Sequence, residues 1–272
     1  MAAGIIRAMI EALPVVHWIN LDRSEARRER MQARLDARGI ANVRVRAVDG
    51  ADARATDALI ASRANSRYNA ATIASHFEAM ALALEQGLER VLIMEDDTTF
   101  EPYDAWPGGY EAIAAELPDE FGAIALCIAE LPKNLDALFR RARLVHPLRR
   151  RAYWSAGAYV ITRAGIERLF ARYRRNGRYD VTGFRGHQHA YEVIMRTLQA
   201  EKLPGPYLSR VPLFLFEGDD SEIHEDHLWE HCLARDYLRE HYLALIRGTY
   251  RSPFALPARL ARAWSRLRGA AS

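Results

Sequence analysis

Between Arg90 and Phe100 the chain reads R-V-L-I-M-E-D-D-T-T-F, so that four uninterrupted apolar residues lead straight into three consecutive acids. A run this short, with Gly87 before it and Pro102 after it, fits a central parallel strand covered on both faces better than a helix. Open α/β sheets keep their ligands at the carboxyl ends of such strands. Three adjacent carboxylates repel one another and are costly to desolvate. The strand end therefore calls for a divalent cation or solvent to take up the charge.

The 272-residue chain, half of it apolar, suffices for one sizeable core, and a single α/β domain is expected over residues 1–250. The net charge of +3 does not argue for nucleic acid, and the cations are almost all arginine, Lys133 and Lys202 being the only lysines. Cys127 lies within the apolar run Ala123 to Ile128 and reads as a buried free thiol; with Cys232 it makes neither a disulfide framework nor a zinc motif. Ile5 to Leu13 is interrupted by Arg7 and Glu11, so it does not read as a signal peptide. No apolar stretch approaches the roughly 20 residues that span a bilayer, and a cytoplasmic protein is expected.

In chain order, Val15 to Asn20 reads as a strand and Asp22 with Glu25 as the start of a helix that shows Met31 and Leu35 inward and ends at Gly39. Val43, Val45 and Ala47 alternate with arginines in a second strand, and residues 51–71 read as a long surface segment. Ser75-His76-Phe77-Glu78 has the pattern of a capping box opening a helix that leads into the acidic strand. Further strands are expected at Ala123 to Ile128, Tyr153 to Ile161 and Pro212 to Phe216. Thr162 is placed to cap a helix from Arg163 to Arg174, residues 175–188 read as loop, and helices follow over 190–200 and from Leu228 to about Ile246. The tail, residues 251–272, carries Leu260, Trp264 and Leu267 on one helical face among arginines. That pattern suits peripheral contact with an anionic membrane surface and, equally, packing on the domain.

Chemically, Glu95, Asp96 and Asp97 offer oxygen ligands to Mg²⁺ or Mn²⁺, and a cation there would neutralise a diphosphate leaving group. Alternation along a strand points Glu95 and Asp97 one way and Asp96 the other, unless a turn follows Glu95. A solvated strand end is the plain alternative; the placement directly after a buried run favours the metal. Gly157, in the small triplet Ser155-Ala156-Gly157, would let a ligand approach the backbone closely.

Four blocks stand in the order and spacing of glycosyltransferase family 25, and the chain resembles that family over roughly residues 14–225: V-V-H-W-I-N-L-D-R-S-E-A-R-R-E-R-M, R-V-R-A-V-D-G, S-H-F-E-A-M with L-E-Q-G-L-E-R-V-L-I-M-E-D-D, and A-G-A-Y-V-I-T-R-A-G-I-E-R-L. The family includes bacterial lipooligosaccharide galactosyltransferases and domains related to collagen galactosyltransferases. The resemblance implies a GT-A-like, Rossmann-like nucleotide-sugar-binding domain with a mixed central sheet. It implies a UDP-sugar donor, UDP-galactose first, a Mn²⁺-type ion, inversion at the anomeric carbon and a glycan or glycolipid acceptor. Carried over by position, Asn20, Leu21 and Arg23 line the nucleotide pocket with Ser75 and His76 close by. Asp96 and Asp97 serve metal and donor, Glu95 stands at the strand end, Ala156 and Gly157 wall the sugar pocket, and His224 completes the metal site.

Inversion by one displacement needs a carboxylate to accept the acceptor's proton. Asp180, Glu192 and Glu130 are the candidates; Glu192 stands in a loosely aligned stretch where the family carries aspartate. Two other functions remain open. The acid-x-Asp-x-Thr pattern from Glu95 to Thr99 resembles phosphoryl-transfer enzymes of the haloacid dehalogenase type, although these place aspartate where Glu95 stands. A non-catalytic nucleotide-sugar or glycan-binding protein of the same fold is the other.

Overall fold

The computed structural model describes residues 13–63, 66–148, 155–181, 189–200, 204–217 and 225–254. The chain opens with β1 (Val16–Asn20), α1 (Glu25–Asp36), β2 (Asn42–Arg46), α2 (Ala53–Leu59), β3 (Ile60–Arg63) and α3 (Arg67–Glu85). Next come β4 (Arg90–Glu95), β5 (Thr98–Thr99), α4 (Glu101–Ala105), α5 (Gly109–Glu116), β6 (Ala123–Ala125), α6 (Pro132–Phe139) and β7 (Val145–Pro147). The last part carries β8 (Ala158–Thr162), α7 (Arg163–Tyr173), β9 (Arg174–Arg175), β10 (Arg178–Val181), α8 (Ala190–Ala200), β11 (Tyr207–Ser209), β12 (Leu215–Phe216) and α9 (Glu225–Ile246).

Seven strands form the main sheet in the order β2-β1-β4-β8-β6-β11-β7. It is mixed: β4 runs parallel to β1 but antiparallel to β8. Side chains of β4 alternate between two apolar layers, Val91 and Ile93 packing with Phe77 and Leu169 on one face, Leu92 and Met94 with Met31, Leu35 and Phe100 on the other. The uninterrupted apolar run is thus explained by burial on both faces. Because β2 lies on one side of β1 and β4 on the other, strand order reverses at β1, and a crevice opens between the carboxyl ends of β1 and β4.

Local signals hold where the contacts are local. Gly39 adopts φ +61° after α1, and the Thr162 hydroxyl accepts from the Gly165 N–H at 3.1 Å to cap α7. Cys127 is buried and free. The start of α1 differs from expectation: Ser24 occupies the cap position, while Asp22 pairs instead with Arg44 and Arg46, each at 2.6 Å.

Larger differences follow from long-range packing. The helix expected to begin at Ser75 begins two turns earlier, where Ser66 accepts from the Asn69 N–H at 3.2 Å. Ser75 sits mid-helix, donating to the Ala71 carbonyl and accepting from the Val48 N–H, both at 2.8 Å. The first turns bury Ala70, Ala71 and Ala74, small residues that give weak amphipathic contrast. The expected surface segment 51–71 holds α2 and β3, and β3 finds its partner in β10 from the later half of the chain. Residues 174–181 form the β9–β10 hairpin rather than loop, around Asn176 (φ +50°) and Gly177 (φ +76°), the pair of positive φ values a two-residue type I′ turn needs. The apolar run Pro212 to Phe216 contributes only β12, paired with β5 outside the main sheet.

Candidate active site

The strand-end acids lie in the β1–β4 crevice. Ile19 is in register with Glu95, so Asn20, at the end of β1, faces the residue after it. Asn20 Nδ2 donates to Asp96 Oδ2 at 2.5 Å, and Arg44 from β2 holds the amide's other end through Nε–Oδ1 at 3.0 Å. Asp96 and Asp97 form a turn after β4, which ends strand alternation at Glu95 and brings both aspartates toward α1. There Arg27, in the first turn of α1, pairs with Asp96 Oδ1 and lies 3.1 Å from Asp97 Oδ2.

Arg27 is a site residue that motif reasoning passed over. Its signal was positional: the first turn of a helix directly after a strand at the switch point faces the crevice. Burial works against the Arg27 charge, yet Asp97 and Asp96 outweigh it and the net shift is upward. Burial raises Asp96, against the pull of Arg27 and Asn20. Burial and the neighbouring Glu95 carboxylate raise Asp97 to about 7.

Glu95 is fastened from below. His76 Nε2 lies 3.2 Å from Glu95 Oε1, and His76 Nδ1 lies 3.0 Å from the Tyr159 hydroxyl. A neutral ring would donate to the carboxylate and accept from the phenol. His76 is fully buried, so its contact is with Glu95 and not with the crevice mouth.

Among the described residues no three of His, Cys, Asp and Glu converge as a metal cage. Both oxygens of Asp96 already accept, from Asn20 and Arg27. Asp97 Oδ1, by contrast, is buried without a hydrogen-bond partner. An orphaned buried carboxylate oxygen beside a second carboxylate fits one hard cation, with Asp97 and Glu95 as the protein's donors. His224 lies outside the described residues.

The late part of the chain closes the site from one side. Through the β5–β12 pairing, the Glu217 N–H donates to the Asp97 carbonyl at 2.7 Å, and its side chain is held by Arg34 at 2.7 Å and Arg30 at 3.6 Å. Gly157 sits against this segment. A Cβ added there would meet the Phe216 ring at 2.5 Å, so the glycine makes room for Phe216. Ala156 is half-buried against the core, and the Gly157 N–H donates to the Ser155 hydroxyl at 3.0 Å.

The other expected residues spread along the sheet. Leu21 begins the turn after β1, its carbonyl accepting from Ser24 at 3.0 Å; exposed Arg23 pairs with Asp49 and holds that carboxyl below its ordinary value. Ser75 is buried in α3 and ties it to Val48. Glu130 follows β6, at the same edge of the sheet as Glu95, and its Oε1 accepts from the Leu131 N–H at 2.8 Å and Asn134 Nδ2 at 3.0 Å. Asp180 is on β10 in the separate three-stranded sheet, accepting from the Ser62 hydroxyl at 2.6 Å. Glu192 belongs to α8, but its side chain lies outside the described residues.

Residues 14–106 match glycosyltransferase family 25 (LPS biosynthesis protein). The resemblance read from the sequence is borne out over that span, which runs from β1 through the acidic turn; the block from Ala156 onward lies beyond it. The match supports glycosyl transfer as the reaction class. No curated protein matches the chain.

Solved structures align with the chain at low similarity. An inositol-1-phosphate CTP transferase from T. maritima is 12% identical with TM-score 0.36, covering 86% of this chain and 82% of that one. A glycosyltransferase involved in glycosylation of the major capsid of PBCV-1 is 8% identical with TM-score 0.33, covering 73% and 93%. A mannose-1-phosphate geranyltransferase from Thermus thermophilus is 16% identical with TM-score 0.33, covering 76% and 62%.

Proposed function

We propose that this chain transfers a hexose, galactose first among the candidates, from a UDP-sugar to a hydroxyl of a lipooligosaccharide or other cell-surface glycan, with inversion at the anomeric carbon. The observation that carries this is the convergence of Asn20, Arg27, Asp96 and Asp97 in the β1–β4 crevice, inside the segment matched to glycosyltransferase family 25.

In the reaction the acceptor oxygen attacks the anomeric carbon as the bond from that carbon to the diphosphate oxygen breaks. UDP leaves with the electron pair, and a carboxylate takes the acceptor's proton. Negative charge therefore builds on the diphosphate, and interactions that strengthen as it builds accelerate the step. Arg27 is the guanidinium this chain holds at the crevice, and Asn20 and Arg44 fix the Asp96 carboxylate beside it. Mn²⁺ or Mg²⁺, held by Asp97 and Glu95, would supply further neutralisation of the diphosphate. Among the candidate bases, Glu130 has the placement that favours it, at the sheet edge shared with the acids.

Isothermal titration with a panel of UDP-sugars, UDP and GDP, each with Mn²⁺ and with chelator, tests the proposal. Metal-dependent binding of UDP and one UDP-sugar is expected; absence of any uridine-nucleotide binding would sink it. A peripheral membrane contact through residues 251–272, of which 255–272 lie outside the described residues, belongs to the same proposal. Deleting the tail should then reduce sedimentation with anionic liposomes. No helix among the described residues is long and apolar enough to cross a membrane.

A further inference from the structure

Away from the acidic turn, a cleft of about 530 Å³ is lined by Phe139, Arg140, Arg210, Leu245, Gly248 and Tyr250. Its chemistry is set by Arg210, which follows β11. The Arg210 backbone N–H donates to the Leu144 carbonyl at 2.7 Å and Nη1 to the Phe139 carbonyl at 3.2 Å. Its Nε is buried with no hydrogen-bond partner, and no carboxylate among the described residues pairs with it. The acid nearest the cleft lining in sequence, Asp136, accepts from Arg140 Nε at 3.0 Å and from the Tyr250 hydroxyl at 2.7 Å, and Glu116 accepts from the Leu144 and Val145 N–H groups. Nε is closed off from solvent, so an anion entering the cleft is met by the terminal Nη1 and Nη2 of a half-buried guanidinium that no carboxylate among the described residues pairs with.

We propose that this cleft binds an anionic group, phosphate or carboxylate, carried by the glycan acceptor. The guanidinium fork matches two oxygens of either group, and Phe139, Leu245 and Tyr250 supply the aromatic and aliphatic part of the lining. The volume falls in the range of small-ligand pockets, about 300–1,000 Å³.

Topology assigns the anion to the acceptor. β8 is antiparallel to both β4 and β6, and β11 is parallel to β6, so β4, β6 and β11 all point the same way. Glu95 and Arg210 therefore leave the sheet at one edge, three strand spacings apart, about 14 Å. The strand β6, which lies between β4 and β11 in the sheet, leads through Glu130 into α6, whose last residue Phe139 accepts from Arg210 through its carbonyl. An extended glycan whose reacting hydroxyl lies at the crevice reaches the cleft with a charged group further along its chain. The word acceptor rests on the glycosyl-transfer function proposed above; the anion site itself does not.

The test uses the full chain and two variants. Arg210→Gln removes the charge. Gly248→Asp puts a carboxylate on the cleft lining and leaves residue 210 as arginine; at φ +67° a side chain is strained, though aspartate enters this region more readily than most residues and an added Cβ meets nothing within 4 Å. Inorganic phosphate is titrated calorimetrically at constant ionic strength, with chelator present. Binding at least tenfold weaker in both variants is expected, with unchanged far-ultraviolet circular dichroism; equal binding in parent and variants overturns the site. In transferase assays with a lipooligosaccharide acceptor, both variants should raise the acceptor KM about tenfold and leave kcat and the donor KM unmoved. Phosphate binding lost with an unchanged acceptor KM overturns the assignment to the acceptor and leaves a site for a free anion. Failure of the parent to bind any UDP-sugar would strike the transferase function instead, and the phosphate titration would still decide the cleft.

Discussion

The Arg27 guanidinium lies 3.1 Å from Asp97 Oδ2 while also pairing with Asp96, so one cation compensates two consecutive carboxylates at the end of β4. Removing it leaves both acids in a poorly solvated crevice. Arg27→Met should destabilise the protein by about 3 kcal/mol, the low end for breaking a buried pair because Asp97 keeps some contact with solvent. The midpoint of urea denaturation measures this, and added Mn²⁺ should restore part of the loss. A variant as stable as its parent would contradict the compensating role.

Asp97 predicts a pH signature. Its folded proton affinity, at about 7, exceeds the ordinary value of 3.8, so between those values the folded state binds more protons than the unfolded one. Stability from this group is therefore fully present below about pH 4 and is lost as pH rises through about 7. Comparing urea midpoints from pH 4 to 8, without divalent metal, the parent should fall relative to Asp97→Asn as pH rises. Parallel curves would show that Asp97 does not titrate in that window.

Glu130→Gln separates a base from a structural acid. Glutamine keeps a side-chain carbonyl to accept from Leu131 and Asn134, so the start of α6 should persist. As a proton acceptor lost from the transition state, it should lower kcat by about 10² to 10⁴. Unchanged kcat would shift the role to Asp180 or Glu192, and the corresponding amide variants would be compared in the same assay.

Gly157→Ala probes the closure by the late segment. The added methyl meets Phe216 at 2.5 Å, and the ring must shift, loosening the β5–β12 pairing next to Asp97. A loss of about 1–3 kcal/mol is expected, read as a lowered melting temperature together with weaker UDP binding. A variant equal to the parent in both would mean that Phe216 yields without cost.

Much of the site was legible because its signals are local. The run Val91 to Met94 announced a strand buried on both faces, and the acids after it announced the strand end. The turn at Asp96–Asp97 decided which carboxylates meet, since alternation stops at Glu95. His76 illustrates the same limit: its place beside the acidic strand was readable, but its grip on Glu95 depends on how α3 packs across the sheet. The late strands were harder. β7 and β11 are three residues each and carry too little pattern to distinguish an edge strand from a loop.

The sequence by itself determined the α/β class, the strand that ends in acids and the likeness to a glycosyltransferase family, because hydrophobic period, capping and motif spacing act over a few residues. Only the tertiary structure decided that Arg27 joins Asp96 and Asp97, that Phe216 fills the space at Gly157, and that Arg210 is left without a counter-charge. Those outcomes depend on strand order and on which distant side chains are desolvated together, and neither is encoded in any local window.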